Sequence, residues 1–404
     1  VKTFGQILDE HDGVGPGFDL LRLALAIAIL ASHCSGITGE RGLLGEIAQG
    51  FLHLFGHTAP TVDPEISSHA GPVMNVAGNQ PTGWGRPIAQ SHVPMFFGLS
   101  GFLITGSAFR TRRVLPFLAL RFFRIFPALL VEVTLSAVVI GALYTILPLD
   151  DYYASKGFFI YFGNIAGVVQ MFLPGVQFFK DGVVNANLWT LPSEFHCYLI
   201  VAALILAGVV FNRATMTWPF VAVTIAVVIA NGFFDFDVTD GGPLTGDVLV
   251  YCFYVGLVAY LWRQRIPYNG WLCIAAILIS YPLMFSHRAI YIYPIMLGYV
   301  TVFIGLTNFP KFWLLQSGDY SYGIYLYGFP ITQVLATEFP ALRTNIFALI
   351  LVAIICTGLF AALSWRLVEK RFLRLRKYFS PKSAKIAEEL HPELNEEQKA
   401  DVPA

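Results

Sequence analysis

Ten long apolar runs, near residues 19–37, 92–109, 118–147, 187–211, 215–233, 246–263, 271–286, 289–308, 320–337 and 342–365, follow one another along the chain. A hydrocarbon layer about 30 Å thick takes about 20 residues of helix to cross, at 1.5 Å per residue. Backbone N–H and C=O groups find no water there, so each run must satisfy its own as a helix. Composition agrees: 56% of the residues are hydrophobic and 13% charged, with 35 Phe and 18 Tyr, outside the range of soluble globular domains. The fold class expected is an all-α integral membrane protein, a bundle of about ten transmembrane helices.

Lysine and arginine set the direction. With the N-terminus inside, nineteen of them fall in cytoplasmic segments, six fall outside and Arg22 lies within the membrane, which places both termini in the cytoplasm. Residues 1–379 then form the membrane domain, with 38–91 as an extracytoplasmic cap and 380–404, polar and poor in aromatics, as a disordered cytosolic tail. The segment "FFIYFGNIAGVVQMFL" (158–173) is short and broken by Gly and Asn, which suits a re-entrant or interfacial element. The start, "VKTFGQILDEHDGVGPGFD", is polar and acidic, so no cleavable signal is expected.

Some classes are excluded. The formal net charge is zero, which gives no footing for nucleic acid. Cys34, Cys197, Cys252, Cys273 and Cys356 stand singly in apolar stretches and read as packing residues. His53, His57, His69 and His92 fit no ligand spacing, so no metal is expected. No internal repeat supports a transporter built from duplicated halves.

Chemistry concentrates where ionisable groups enter apolar runs, since each costs about 2.5–3.5 kcal/mol on insertion scales. In "LRLALAIAILASHC" (21–34), Arg22 and His33 are eleven residues apart. At about 100° per residue they share a helix face, roughly 16 Å apart along the axis. A neutral imidazole at position 33 can serve as general base or acyl acceptor; the alternative is a structural histidine on a backbone carbonyl. "NANLWTLPSEFHCYL" (185–199) opens the fourth run and carries Trp189, Ser193, Glu194 and His196. Glu194, in the first turns of a helix, can remain a carboxylate that orients His33, or simply pair with an Arg or Tyr. "RTRRVLPFLALRFFRIFPALL" holds Arg110, Arg112, Arg113, Arg121 and Arg124. Guanidinium forks suit phosphate oxygens, so a nucleotide-type anionic donor can dock there, while topology and anionic lipid explain the same cluster. Arg121 and Arg124, three apart, share one face. "SGDYSYGIYLYGFPITQ" (317–333) supplies Tyr320, Tyr322, Tyr325 and Tyr327, suited to lining a polar cavity or to an interfacial belt.

With these residues in place, the chain resembles the membrane acyltransferase-3 family. The likeness runs over nearly its whole length: Arg22-x10-His33, "MFFGLSGFLIT", "RFFRIFP", "LWTLPSEFHCY", "SYGIYLYGFP" and "SWRLVEKRFLRLR", in that order. The resemblance implies transfer of an acyl group, usually acetyl from cytoplasmic acetyl-CoA, to a sugar or glycan hydroxyl at the other face. It implies catalytic positions at Arg22, His33 and Glu194 and a CoA site at Arg121 and Arg124. The chain has Pro94 where many members have Asp, Phe195 where many have a second acid, and Gly328 where many have His. These departures are similar to the branch of exopolysaccharide acetyl- and succinyltransferases and shift weight onto His33. No soluble hydrolase-like domain is recognised in the sequence, so the membrane domain is expected to finish the transfer or to hand on to a partner.

The function expected is a bacterial inner-membrane O-acyltransferase. Acetyl-CoA or another acyl-CoA is the co-substrate, no metal is involved, and Arg110, Arg113, Arg121 and Arg124 hold the donor. His33 acts as base or transient acyl carrier. Ser193, Trp189, Tyr322 and Tyr325 are candidates for substrate or oxyanion contacts. The expected partners are the lipid bilayer, the donor, a glycan acceptor and polysaccharide-assembly proteins. The alternatives are a transporter or exporter of a glycan or lipid-linked intermediate, and a non-catalytic member of a polysaccharide-assembly complex.

Overall fold

Each of the ten apolar runs is a helix in the computed structural model, which describes residues 1–38, 86–179, 181–233, 244–310 and 318–379. In chain order they are α1 (Phe18–Thr38), α2 (Arg86–Thr111), α3 (Val114–Leu135), α4 (Leu191–Leu206) and α5 (Arg213–Phe233). Then come α6 (Gly246–Leu261), α7 (Gly270–Leu283), α8 (Tyr293–Leu306), α9 (Ser321–Glu338) and α10 (Ile346–Ser364). Among the described residues six helices are long and apolar enough to cross a membrane: Phe18–Thr38, Pro87–Thr111, Val114–Tyr144, Ala186–Leu206, Arg213–Ala230 and Ile346–Leu373. α6, α7 and α8 are apolar but shorter, and no strand occurs among the described residues. The architecture is that of an all-helical membrane protein. The cap expected over 38–91 falls largely on residues 39–85, and the tail on 380–404, so both lie outside the described residues, as do His53, His57 and His69.

Close packing follows from small residues. Where α2 crosses α6, a Cβ on Gly101 would sit 1.9 Å from the carbonyl oxygen of Phe253, and one on Gly256 would sit 1.9 Å from that of Gly98. Glycine alone lets the two backbones approach so far. α1 and α9 run side by side in the same direction: Ala26 packs with Ile324, Leu30 lies against Gly328, and Ile37 packs with Ala336.

Between α3 and α4 the chain folds back into the bundle. α3 passes through a π-helical turn at Ser136–Ile140 before ending at Tyr144. Such a turn frees carbonyls, and Tyr152 and Tyr153 donate to those of Ala137 and Val138 at 2.6 and 3.0 Å. The expected re-entrant stretch is a short helix, Lys156–Tyr161, running into a 3-10 turn, Phe162–Ala166. The chain then extends to Asn185, which caps a second 3-10 turn, Ala186–Thr190. α4 starts only at Leu191, with Pro192 in its first turn, where a missing N–H does no harm. The "NANLWT" stretch is thereby a turn rather than regular helix. The N-terminal helix Phe4–Glu10, capped by Thr3 and Gln6, packs Phe4 on Tyr299, while Tyr268 N–H donates to the carbonyl of Lys2 at 2.7 Å. The N-terminus and the α6–α7 turn therefore share one end of the bundle.

Candidate active site

At one end of the bundle Arg22, in the first turns of α1, and Arg124, within α3, meet around Asp319, just ahead of α9. Arg124 Nη2 donates to its Oδ2 at 2.6 Å, Arg22 Nη1 lies 3.8 Å from the same oxygen, and Ser321 Oγ donates to Oδ1 at 2.6 Å. Burial pushes the Asp319 carboxyl up, but Arg124 and Arg22 outweigh it and hold the group well below the usual carboxylate range. Arg22 also pairs with Asp19, in the first turn of its own helix. Its Nε stays buried without a hydrogen-bond partner among the described residues.

From this end a cavity of about 140 Å³ reaches into the bundle between α1, α2, α3, α4, α6 and α9. Its polar lining is Arg22, Ser100, Arg121, Arg124, Thr190, Glu194, Tyr198, Ser321, Tyr322 and Tyr325, and the rest is aliphatic or Phe. Arg121 Nη2 donates to Ser107 Oγ at 3.0 Å, Tyr322 to the carbonyl of Ile125 at 3.2 Å, and Tyr198 to Glu194. Three guanidiniums and one carboxylate in an apolar chamber make a site for an anion with an apolar reach. Among the described residues no three His, Cys, Asp or Glu side chains gather as a metal site.

His33 lies just beyond the cavity. Thr190 Oγ1 and the Tyr325 hydroxyl are 2.6 Å apart in its wall, and Tyr325 also donates to the carbonyl of Asn187 at 3.1 Å. The side chain of the same Asn187 turns to the imidazole, with Oδ1 2.7 Å from His33 Nε2. The Asn187 Nδ2 donates to the carbonyl of Tyr325 at 2.5 Å. That contact fixes which end of the amide faces His33, because only the nitrogen can donate to a carbonyl. Nε2 must then carry the hydrogen, and in the neutral ring Nδ1 keeps the free lone pair. Phe329 meets the ring edge-on, centroids 5.0 Å apart. One residue thus bonds the His33 imidazole with its side chain and the cavity wall with its backbone.

The sequence expectations divide on this geometry. Arg22, Arg121, Arg124, Glu194, Tyr322 and Tyr325 share the cavity, whereas Arg110 and Arg113 are exposed outside it. Glu194 bonds Tyr198 among the arginines, and the hydrogen bond to the His33 ring that the sequence suggested for it belongs to Asn187. Ser193 is buried against α6, donating to the carbonyl of Gly246 at 3.3 Å, and Trp189 packs with Phe329 and Ile37. His196 faces outward from α4. Gly328 has Leu30 against it, and a Cβ there would come within 2.6 Å of Leu30 Cδ1. Asn187 and Asp319 were missed: both stand in the quoted motifs, but a polar residue beside a helix start reads as a cap. Glu132 carried a signal, as a carboxyl in the apolar run 118–147.

A family model described as an acyltransferase domain, that of the acyltransferase-3 family, matches residues 16–367. Two relatives are similar to the chain: an "O-acetyl transferase" of Shigella phage Sf6, 26% identical over 70% of this chain and 84% of its own, and "Nodulation protein 10" of Rhizobium leguminosarum bv. viciae, 28% identical over 70% of this chain and 82% of its own. No solved structure matches. The match over residues 16–367 makes the chain a member of the acyltransferase-3 family.

Proposed function

From that membership we propose that the protein is an O-acyltransferase of the bacterial inner membrane, with ten spans and both termini in the cytoplasm. It takes an acyl group, acetyl in the first place and succinyl as the variant, from cytoplasmic acyl-CoA and transfers it to a hydroxyl of an extracytoplasmic sugar or polysaccharide. The observation that carries this reading is the arginine-lined cavity whose wall is joined through Asn187 to His33.

Arg22, Arg121 and Arg124 receive the donor's phosphates. Arg124 exchanges its bond to Asp319 for one to the donor, and Arg22 offers its unpartnered Nε. The thioester end extends along the apolar lining to the Thr190–Tyr325 pair. Passage to His33 requires the Tyr325 ring to turn from Asn187, and its hydroxyl is then free to donate to the carbonyl oxygen as charge develops there. His33 Nδ1 takes the proton of the acceptor hydroxyl, the oxygen attacks the thioester carbon, and the C–S bond breaks. The imidazolium then returns the proton to the CoA thiolate, so the enzyme ends as it began. In the covalent variant Nδ1 itself holds the acyl group between two such displacements.

The test is purified protein given labelled acetyl-CoA or succinyl-CoA and a panel of glycans. Wild type is expected to label a glycan, and His33→Ala to lose at least 1000-fold in kcat while keeping its melting temperature. A folded His33→Ala variant with wild-type turnover ends this mechanism. CoA is expected to raise the melting temperature of wild type and not of Arg121→Gln or Arg124→Gln. A transporter has no use for CoA and would show no such rise.

A further inference from the structure

We propose that Glu132 is a positioning residue for the transfer: through Asn185, its carboxyl fixes the turn on which Asn187 holds the His33 ring. This rests on reading His33 as the reactive imidazole.

Glu132 lies on α3 with 1% of its surface exposed, inside an apolar run, and no basic side chain pairs with it among the described residues. A carboxyl kept there without a counter-charge needs a purpose. Its Oε1 accepts from Ser136 Oγ at 2.7 Å and from Asn185 Nδ2 at 2.8 Å. The same Asn185 nitrogen donates to the carbonyl of Leu326 at 2.9 Å, and Asn185 Oδ1 accepts the backbone N–H of Asn187 at 3.0 Å. Both amide hydrogens and the amide oxygen of Asn185 are thereby committed, and its orientation is set. The Leu326 carbonyl is available because position 330 of α9 is proline, which has no N–H to give four residues back. The neighbouring carbonyl, of Tyr325, takes the Asn187 side chain. Two adjacent carbonyls of α9 and one carboxyl of α3 therefore clamp the 3-10 turn 185–190 from both sides, and the last link of the chain is the 2.7 Å bond to His33.

A group that merely stabilised the fold would act independently of Asn187. A positioning group acts through it, so the losses must not add. We expect Glu132→Leu to lower kcat about 10–100-fold, the range known for groups that orient a metal-bound histidine through a hydrogen bond, with the donor KM within twofold. Asn187→Ala is expected to lose a similar amount, and adding Glu132→Leu to it to remove less than threefold more. Glu132→Gln keeps the accepting oxygen and puts its nitrogen at Oε2, which has no partner among the described residues. It should retain at least a third of wild-type kcat, and it carries the test if the leucine variant fails to fold. Additive losses, an unimpaired and folded Glu132→Leu, or a folded but inactive Glu132→Gln would each overturn the proposal. An inactive His33→Ala alongside any of these would leave the acyltransferase mechanism standing, whereas an active His33→Ala removes both.

Discussion

An aspartate at position 187 would accept the same hydrogen from His33, yet the chain carries an amide there. The difference lies in charge: a carboxylate favours the imidazolium, which has no lone pair to offer, whereas an amide orients the ring and leaves it neutral. Asn187→Asp is expected to slow turnover at pH 7 about tenfold, read from initial rates on folded protein, and also to lower the melting temperature, because a carboxylate oxygen then faces the Tyr325 carbonyl in place of the donating amide. Asp319 makes the opposite use of charge. Its carboxyl, held low by Arg124 and Arg22, contributes stability that is fully present above the unfolded value of about 3.9 and is lost as pH falls through the lower folded value. The gap in melting temperature between wild type and Asp319→Asn should therefore be constant above about pH 5 and close as the pH falls towards 2. Neither partnership was legible in the sequence. Arg22 and His33 announce themselves as ionisable groups in an apolar run, but Asn187 reaches His33 from 154 residues away, and Asp319, just ahead of α9, reaches Arg22 in addition to its local partner Asp19. Only packing decides which amide or carboxylate arrives.

Helices were legible because their cause is local: an apolar run in a membrane has no other way to satisfy its backbone. What the pattern could not show is where a run stops being regular. The fourth run begins with a 3-10 turn instead of α-helix, and that irregularity carries Asn187. The crossing of α2 and α6 is similar, since glycines 98, 101 and 256 read as ordinary in the sequence and become a contact only when the helices meet. Gly256→Ala places a methyl against the Gly98 carbonyl and should force the helices apart. We expect a loss of about 1–3 kcal/mol, measured as a lower melting temperature or poorer recovery from detergent. Gly358, with nothing within 4 Å of its Cβ position, should accept alanine with little change.

At the scale of the molecule the arginines gather at one end of the bundle and the imidazole lies further along α1, so donor and acceptor are expected to approach from opposite sides. In sealed vesicles of defined orientation, acyl-CoA should support transfer only from the face that carries Arg110 and Arg113, with the glycan supplied on the other. Transfer with both on one side would contradict this arrangement. The placement of lysine and arginine gives sequence reasoning a direction for the helices, which the vesicle experiment tests; the closure of the cavity wall at Thr190 and Tyr325 was not legible, since two hydroxyls 135 residues apart make it. That closure matters beyond acyl transfer. On the proposed reading, a passage open from face to face would let protons cross the membrane, and we propose the Thr190–Tyr325 contact, 2.6 Å apart in the cavity wall, as what closes it. Removing it with Tyr325→Gly should make proteoliposomes leak protons, visible as collapse of an imposed pH difference.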